Sequence, residues 1–97
     1  MTRKDIKVGD VVKHFKRETV DTSNIDQKNF YLYKILCIAN HTETKEKLVV
    51  YQAMYWDPEK DIDFDIFARP YDMFMSEVDH EKYPDIKQKY RFEKYTD

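Results

Sequence analysis

Three aspartates at alternate positions, Asp61, Asp63 and Asp65, are the first residues in this sequence whose spacing suggests chemistry. Alternating carboxylates open calcium-binding loops, and Asp72 falls at the twelfth position counted from Asp61. The sixth position of such a loop needs glycine for its sharp turn, and here it is Ile66, with no helices expected on either side. In an extended strand alternate carboxylates lie roughly 6.5–7 Å apart, too far for all three to share one ion. The triplet therefore reads as a solvated acidic face over buried Ile62, Phe64 and Ile66. His14, His41 and His80 have no ligand partner at metal-binding spacing. No metal site and no cofactor are expected. The single cysteine, Cys37, sits between Leu36 and Ile38, which predicts a buried, inert thiol rather than a nucleophile.

Two further groupings carry polar chemistry. His41-Thr42-Glu43-Thr44 puts an imidazole, two hydroxyls and a carboxylate in one turn. Such a turn can bind a polar ligand or move a proton. Its hydroxyls, with Asn40, can equally hold the turn itself together. Arg69-Pro70 fixes an extended arginine whose guanidinium fork suits a carboxylate or phosphate. The same fork can pair inside the protein, with Glu43 or Glu46 as partners. The aromatic set Tyr31, Tyr33, Tyr51, Tyr55, Trp56, Tyr71 and Phe74 exceeds what one small core obviously needs. Tyrosine buries a ring and still offers a hydroxyl, so it suits the rim of a groove. The candidate ligand-binding residues are His41, Glu43, Tyr51, Tyr55, Arg69, Tyr71 and Phe74, and no catalytic residue is assigned.

The elements that must position these residues are mostly strands. Gly9-Asp10 precedes a short β-branched run at 11–15. Residues 16–29 form a polar, ordered loop in which Asn24 can cap a short helical turn. Residues 30–39 are the strongest strand, apolar on both faces. A polar turn then leads to a strand over 48–56, giving a hairpin in which Lys45 takes the positive φ that such turns favour. In that strand Val49, Tyr51, Ala53 and Tyr55 share a face, and Gln52 wets the other, so the tyrosine face points inward. Alternation over 61–66 predicts a half-buried strand. Pro70 opens a single 3₁₀ turn, Met75-Ser76-Glu77-Val78 reads as a last core strand, and Tyr90-Arg91-Phe92 as a closing edge strand.

This pattern predicts a mainly β domain, an SH3-like barrel of about five strands, with an OB-like barrel as the competitor. The 97 residues allow one core. They divide into a barrel over about 8–78 and a charged C-terminal extension over 79–97. Aromatics at 15% argue against disorder. The net charge of −2 comes from interspersed signs and offers no basic block for a nucleic-acid backbone. Apolar runs fall far short of a membrane span, the N-terminus turns charged at once, and one cysteine suits a reducing compartment. A cytoplasmic protein with no membrane association is expected.

The central run carries a resemblance. Tyr33-Lys34-Ile35-Leu36, His41-Thr42-Glu43-Thr44 and Leu48-Val49-Val50-Tyr51, with the earlier His14-Phe15-Lys16 and the later Arg69-Pro70-Tyr71-Asp72-Met73-Phe74, resemble a small bacterial domain family of unknown function. The resemblance spans most of residues 8–78. It implies a small β-barrel and no particular activity. The family tends to have glycine where Lys45 stands, and residues 16–29 and 57–65 look like insertions into its scheme.

Three functions remain open on this reading. The first is a non-catalytic binding module for an extended peptide, a protein or a small polar ligand, in an aromatic groove edged by Arg69, His41 and Glu43. The second is a barrel for single-stranded nucleic acid using Lys13, Lys16, Arg17 and Lys34 with Tyr31 and Tyr33, which the acidic balance disfavours. The third is a small enzyme using His41 and Glu43, which lacks any nucleophile motif or phosphate loop beside it.

Overall fold

The structure, a computed structural model, describes residues 5–96. Its frame is one antiparallel five-stranded sheet. Strands β1 (Val11–His14), β2 (Leu32–Asn40) and β3 (Lys47–Ala53) are followed by a two-stranded hairpin of β4 (Trp56–Asp57) and β5 (Ile62–Asp63). Then come β6 (Ile66–Pro70), a single helical turn α1 (Tyr71–Phe74), and β7 (Phe92–Lys94). The main sheet runs in the order β6-β3-β2-β1-β7.

Alternation sorts the side chains of β3 as expected. Val49, Tyr51 and Ala53 are buried, and Val50 and Gln52 are only partly covered. The register carries the pattern sideways, because residues directly opposite share a face. Tyr51 faces Phe67, Val49 faces Arg69, Tyr33 faces both Val12 and Ala53, and His14 faces Phe92. Phe74, Phe92, Ile35, Val12 and Val49 are the largest side chains that are fully buried.

The sheet is strongly curled. In a flat sheet the outer strands of five would lie roughly 19 Å apart. Here the Arg69 guanidinium of β6 sits 5.5 Å from the centre of the Phe92 ring of β7. Phe74, from α1, stacks on Phe92 with centroids 4.0 Å apart and planes 5° from parallel. No hydrogen-bonded ladder joins β6 to β7 among the described residues. The edges meet through side chains, and the expected cylinder is a curled sheet rather than a closed barrel.

Several local expectations change. Cys37 is exposed, not buried. A β-bulge between Ile35 and Cys37 inserts one residue, so Cys37 pairs with Val50 instead of Val49 and moves to the outer face. The strand expected over 48–56 divides into β3 and β4. The alternation over 61–66 is broken by positive φ at Asp61 (55°) and Phe64 (52°), which turn the chain through the β4–β5 hairpin. Phe64 and Ile66 are therefore 51% and 59% exposed rather than buried. The turn after Pro70 is closed by an α-type bond from Met75 N–H to the Tyr71 carbonyl, at 3.0 Å. The last core strand at 75–78 is reduced to one bridge, Glu77 to Tyr90.

Other expectations hold. Lys45 has φ of 66°, and its N–H donates to the His41 carbonyl at 2.9 Å. Asn24 Oδ1 accepts the Asp26 N–H at 2.9 Å and opens a 3₁₀ turn, Ile25–Gln27. A closing edge strand forms as β7, two residues later than the expected Tyr90-Arg91-Phe92, so the C-terminal segment supplies part of the sheet. That segment is clasped to the first 3₁₀ turn, Phe15–Thr19. The Glu18 carboxylate accepts the N–H groups of Lys87 (2.9 Å) and Gln88 (2.8 Å). The buried Gln88 amide then donates to the carbonyls of Lys13 and Tyr90, each at 3.0 Å.

Candidate functional site

The curl gathers aromatic rings from four strands onto one face, Tyr33 of β2, Tyr51 of β3, Phe67 of β6 and Phe92 of β7, with Tyr55 from the bend after β3. Tyr33 meets Tyr51 edge-on with centroids 5.3 Å apart, and Tyr33 and Tyr55 share a hydrogen bond between hydroxyls at 3.0 Å. Burial raises the pKa of all three tyrosines above the usual phenol range, and at Tyr51 the neighbouring Arg69 guanidinium partly offsets it. They act as neutral donors and acceptors at any ordinary pH.

Above them opens a cleft of about 280 Å³, walled also by Tyr31, Ile62, Phe67 and Phe92. Its polar rim is His14, Lys16, Lys60 and Arg69. Lys60 hydrogen-bonds the Tyr31 hydroxyl and lies 4.9 Å from the centre of that ring, which straps the β4–β5 loop across one end.

His14 is the pivot of the site. It ends β1 and caps the following 3₁₀ turn, its Nδ1 accepting the Lys16 N–H at 3.1 Å. Burial first, then the charges of Arg69, Lys16 and Arg91, push its pKa down to about 3. The ring is therefore neutral at pH 7. With Nδ1 accepting, the proton resides on Nε2. An imidazole so hard to protonate is a poor general base at neutral pH. It can donate one neutral hydrogen bond beside a cluster of cations.

The residues singled out from sequence separate into three places. Tyr51, Tyr55 and Arg69 come together in the cleft. Phe74 is wholly buried and serves the core, while Tyr71, at the start of α1, packs against that core and lines a different recess with Glu46 and Asp72. His41 and Glu43 line no part of the cleft. His41 Nδ1 accepts the N–H groups of Glu43 (3.1 Å) and Thr44 (3.3 Å), so the imidazole holds its own turn. Arg69 pairs with neither Glu43 nor Glu46; it lies over Phe92 instead.

Five cleft residues are not among the site residues expected from sequence: His14, Lys60, Ile62, Phe67 and Phe92. Sequence spacing offers His14 no role beyond metal ligation, and its register with Phe92 depends on a residue 78 positions later in the chain. Phe67 and Arg69, two apart on an extended segment, had to share a face, and that signal was available. Among the described residues no group of three metal-ligating side chains is brought together. No helix is long and apolar enough to cross a membrane among them either.

No curated protein and no solved structure matches the chain. A family model described as a protein of unknown function, DUF1653, matches residues 10–94. The match runs from the residue before β1 to the last residue of β7, so it takes in every strand and both walls of the cleft. The curled sheet with its tyrosine cleft is thus carried by a chain that belongs to the DUF1653 family.

Proposed function

We propose that the protein is a non-catalytic binding module and that the tyrosine-lined cleft holds a small polar ligand of anionic character. One observation carries the reading. Arg69 stands at the seam of the two edge strands, lines the cleft, and has no carboxylate partner among the described residues. A structural arginine is usually paired with a carboxylate; this guanidinium lies over Phe92 and meets only the neutral Tyr51 hydroxyl, so its charge is unmatched, which is what a pocket for an anion uses. The curled five-stranded sheet is in keeping with an SH3-like module, a fold that by itself selects no function, so the reading rests on the cleft. The size of the cleft favours a small ligand over an extended peptide. The single cysteine and charge-rich surface suit work in a bacterial cytoplasm.

Nucleic acid is the weaker reading. Of the cations it would use, only Lys16 reaches the cleft. Arg17 is committed to the Lys28 and Phe30 carbonyls, at 2.9 and 2.8 Å.

The test is a ligand screen by amide NMR on the full chain and on Arg69→Gln. Ligands that shift the amides of Tyr31, Tyr55 and Phe67 in the parent protein, and lose that effect in a variant of equal melting temperature, support the reading. Loss of folding in Arg69→Gln, rescued by Arg69→Met, makes Arg69 structural and removes it.

A further inference from the structure

Beside the tyrosine cleft lies a second cavity, also of about 280 Å³, which shares His14, Lys16 and Arg69 with it. Its outer wall comes from the C-terminal segment, through Asp79, Lys82 and Arg91. Four cations thus face one cavity against a single carboxylate. That carboxylate is already engaged, since Asp79 Oδ1 accepts the N–H groups of Glu81 (3.1 Å) and Lys82 (3.3 Å). None of the four cations has an ion-pair partner among the described residues.

Arg91 is the most telling of them. Its backbone is fixed on both sides: its N–H donates to the Ser76 carbonyl and its carbonyl accepts the Phe15 N–H, each at 2.9 Å. The side chain is therefore delivered to a set place. Its Nε is buried and finds no acceptor in the protein. A buried donor left unpaired is costly, and an acceptor that arrives with a ligand removes the cost.

We propose that this second cavity seats a phosphate group, and that the ligand is a small phosphomonoester whose organic part lies over the tyrosines. The proposal rests on the binding role assigned to the cleft. A phosphomonoester is a dianion with three terminal oxygens, enough to meet two guanidinium forks and a lysine together; a single carboxylate leaves charge unmatched. The His14 Nε2–H adds a donor without adding charge. All four cations line the same cavity. Lys34, on the outer face of β2, continues no line of charge from it. A groove for a nucleic-acid strand needs cations spaced along a backbone. Two neighbouring cavities that share His14, Lys16 and Arg69, one cationic and one aromatic, fit one charged head and one organic body.

Titration of the full chain with phenyl phosphate, inorganic phosphate and phenol at constant ionic strength tests this by amide NMR. Phenyl phosphate should bind about ten-fold or more tighter than either fragment and shift the amides near His14, Arg69 and Arg91. Arg91→Gln should weaken it by about ten-fold or more with the melting temperature unchanged or raised, because its Nε supports nothing in the free protein. Arg91→Lys should fall between, and Lys34→Gln should match the parent. Phenyl phosphate no tighter than phenol, or equal affinity in Arg91→Gln, overturns the phosphate seat. If phenol still shifts Tyr31 and Tyr55 in that case, the binding role of the cleft survives. No shift from any of the three overturns both. A single-stranded oligonucleotide binding more tightly than phenyl phosphate overturns the small-ligand proposal in favour of a polymer.

Discussion

Replacing His14 by asparagine should flatten the acid limb of the protein's stability curve. In the fold the imidazole resists protonation down to about pH 3, because it is buried and faces Arg69, Lys16 and Arg91. In the unfolded chain it takes a proton near its model value of 6.5. Between those values the unfolded state binds the extra proton, so stability is full above pH 6.5 and falls as the pH falls. The slope is about 1.4 kcal/mol per pH unit, which gives a loss of about 2 kcal/mol between pH 7.5 and 5.0 from this one group. For a domain of this size that is about 8–16 °C in melting temperature. Asparagine keeps a short acceptor for the Lys16 N–H and does not titrate. It gives up the ring contacts with Phe15 and Phe92, so it starts lower at pH 7.5. The quantity to compare is therefore the change with pH, measured by urea unfolding of both proteins at pH 7.5 and 5.0. The parent should lose about 2 kcal/mol more than the variant. Parallel losses, or an NMR titration of His14 with a midpoint near 6.5 in the folded protein, would refute the picture of a neutral imidazole held among cations.

Four further outcomes are expected. Tyr33→Phe or Tyr55→Phe alone should each cost about 1–2 kcal/mol, since one buried hydroxyl loses its partner. The double variant should cost less than the sum, with a coupling of about 1 kcal/mol in a double-mutant cycle. Spectrophotometric titration should show Tyr33, Tyr51 and Tyr55 ionising only as the chain unfolds. Their raised pKa values mean that the stability they confer is present below pH 10 and lost above it. Lys45→Gly should stabilise the β2–β3 turn by about 0.5–1 kcal/mol, because glycine adopts the observed positive φ without strain; unchanged urea midpoints would count against it. Cys37 should react with a thiol reagent in the folded protein at close to its unfolded rate, and a protected thiol would mean that the bulge at Leu36 is absent.

What the sequence disclosed about this fold follows from the range of the interactions involved. The inward tyrosine face of β3, the positive φ at Lys45 and the Asn24 cap are local effects, set by alternation, turn geometry and one side chain's reach. Each is legible from a few adjacent residues. The bulge is not, because inserting Leu36 is a compromise between two strands, and nothing in 32–40 alone says which residue is extra. The same limit applies to the site. Arg69 and Tyr51 are legible as candidates through the Arg-Pro corner and the β3 alternation. Their meeting with His14 and Arg91 depends on β7 pairing with β1 across most of the chain. His41 and Glu43 failed to join them for a local reason: the turn's own N–H groups needed the imidazole more than a ligand did.

The C-terminal segment shows how a charge-rich stretch can be structural. Read from sequence, residues 79–97 are a charged extension whose one expected element is an edge strand at Tyr90-Arg91-Phe92. Yet Phe92 is the ring against which both edges of the sheet close, through Phe74 on one side and Arg69 above. A segment that seals the curl must be held without a long ladder, and Glu18 and Gln88 do this by capturing backbone groups at 87–91. The clasp also fixes Arg91 opposite His14. Closing the fold and building the cationic wall are therefore one event: a chain whose tail is not docked has neither the sealed aromatic core nor the second cavity. Any variant that loosens the clasp should weaken ligand binding and stability together, whereas the unpartnered Nε of Arg91 separates them.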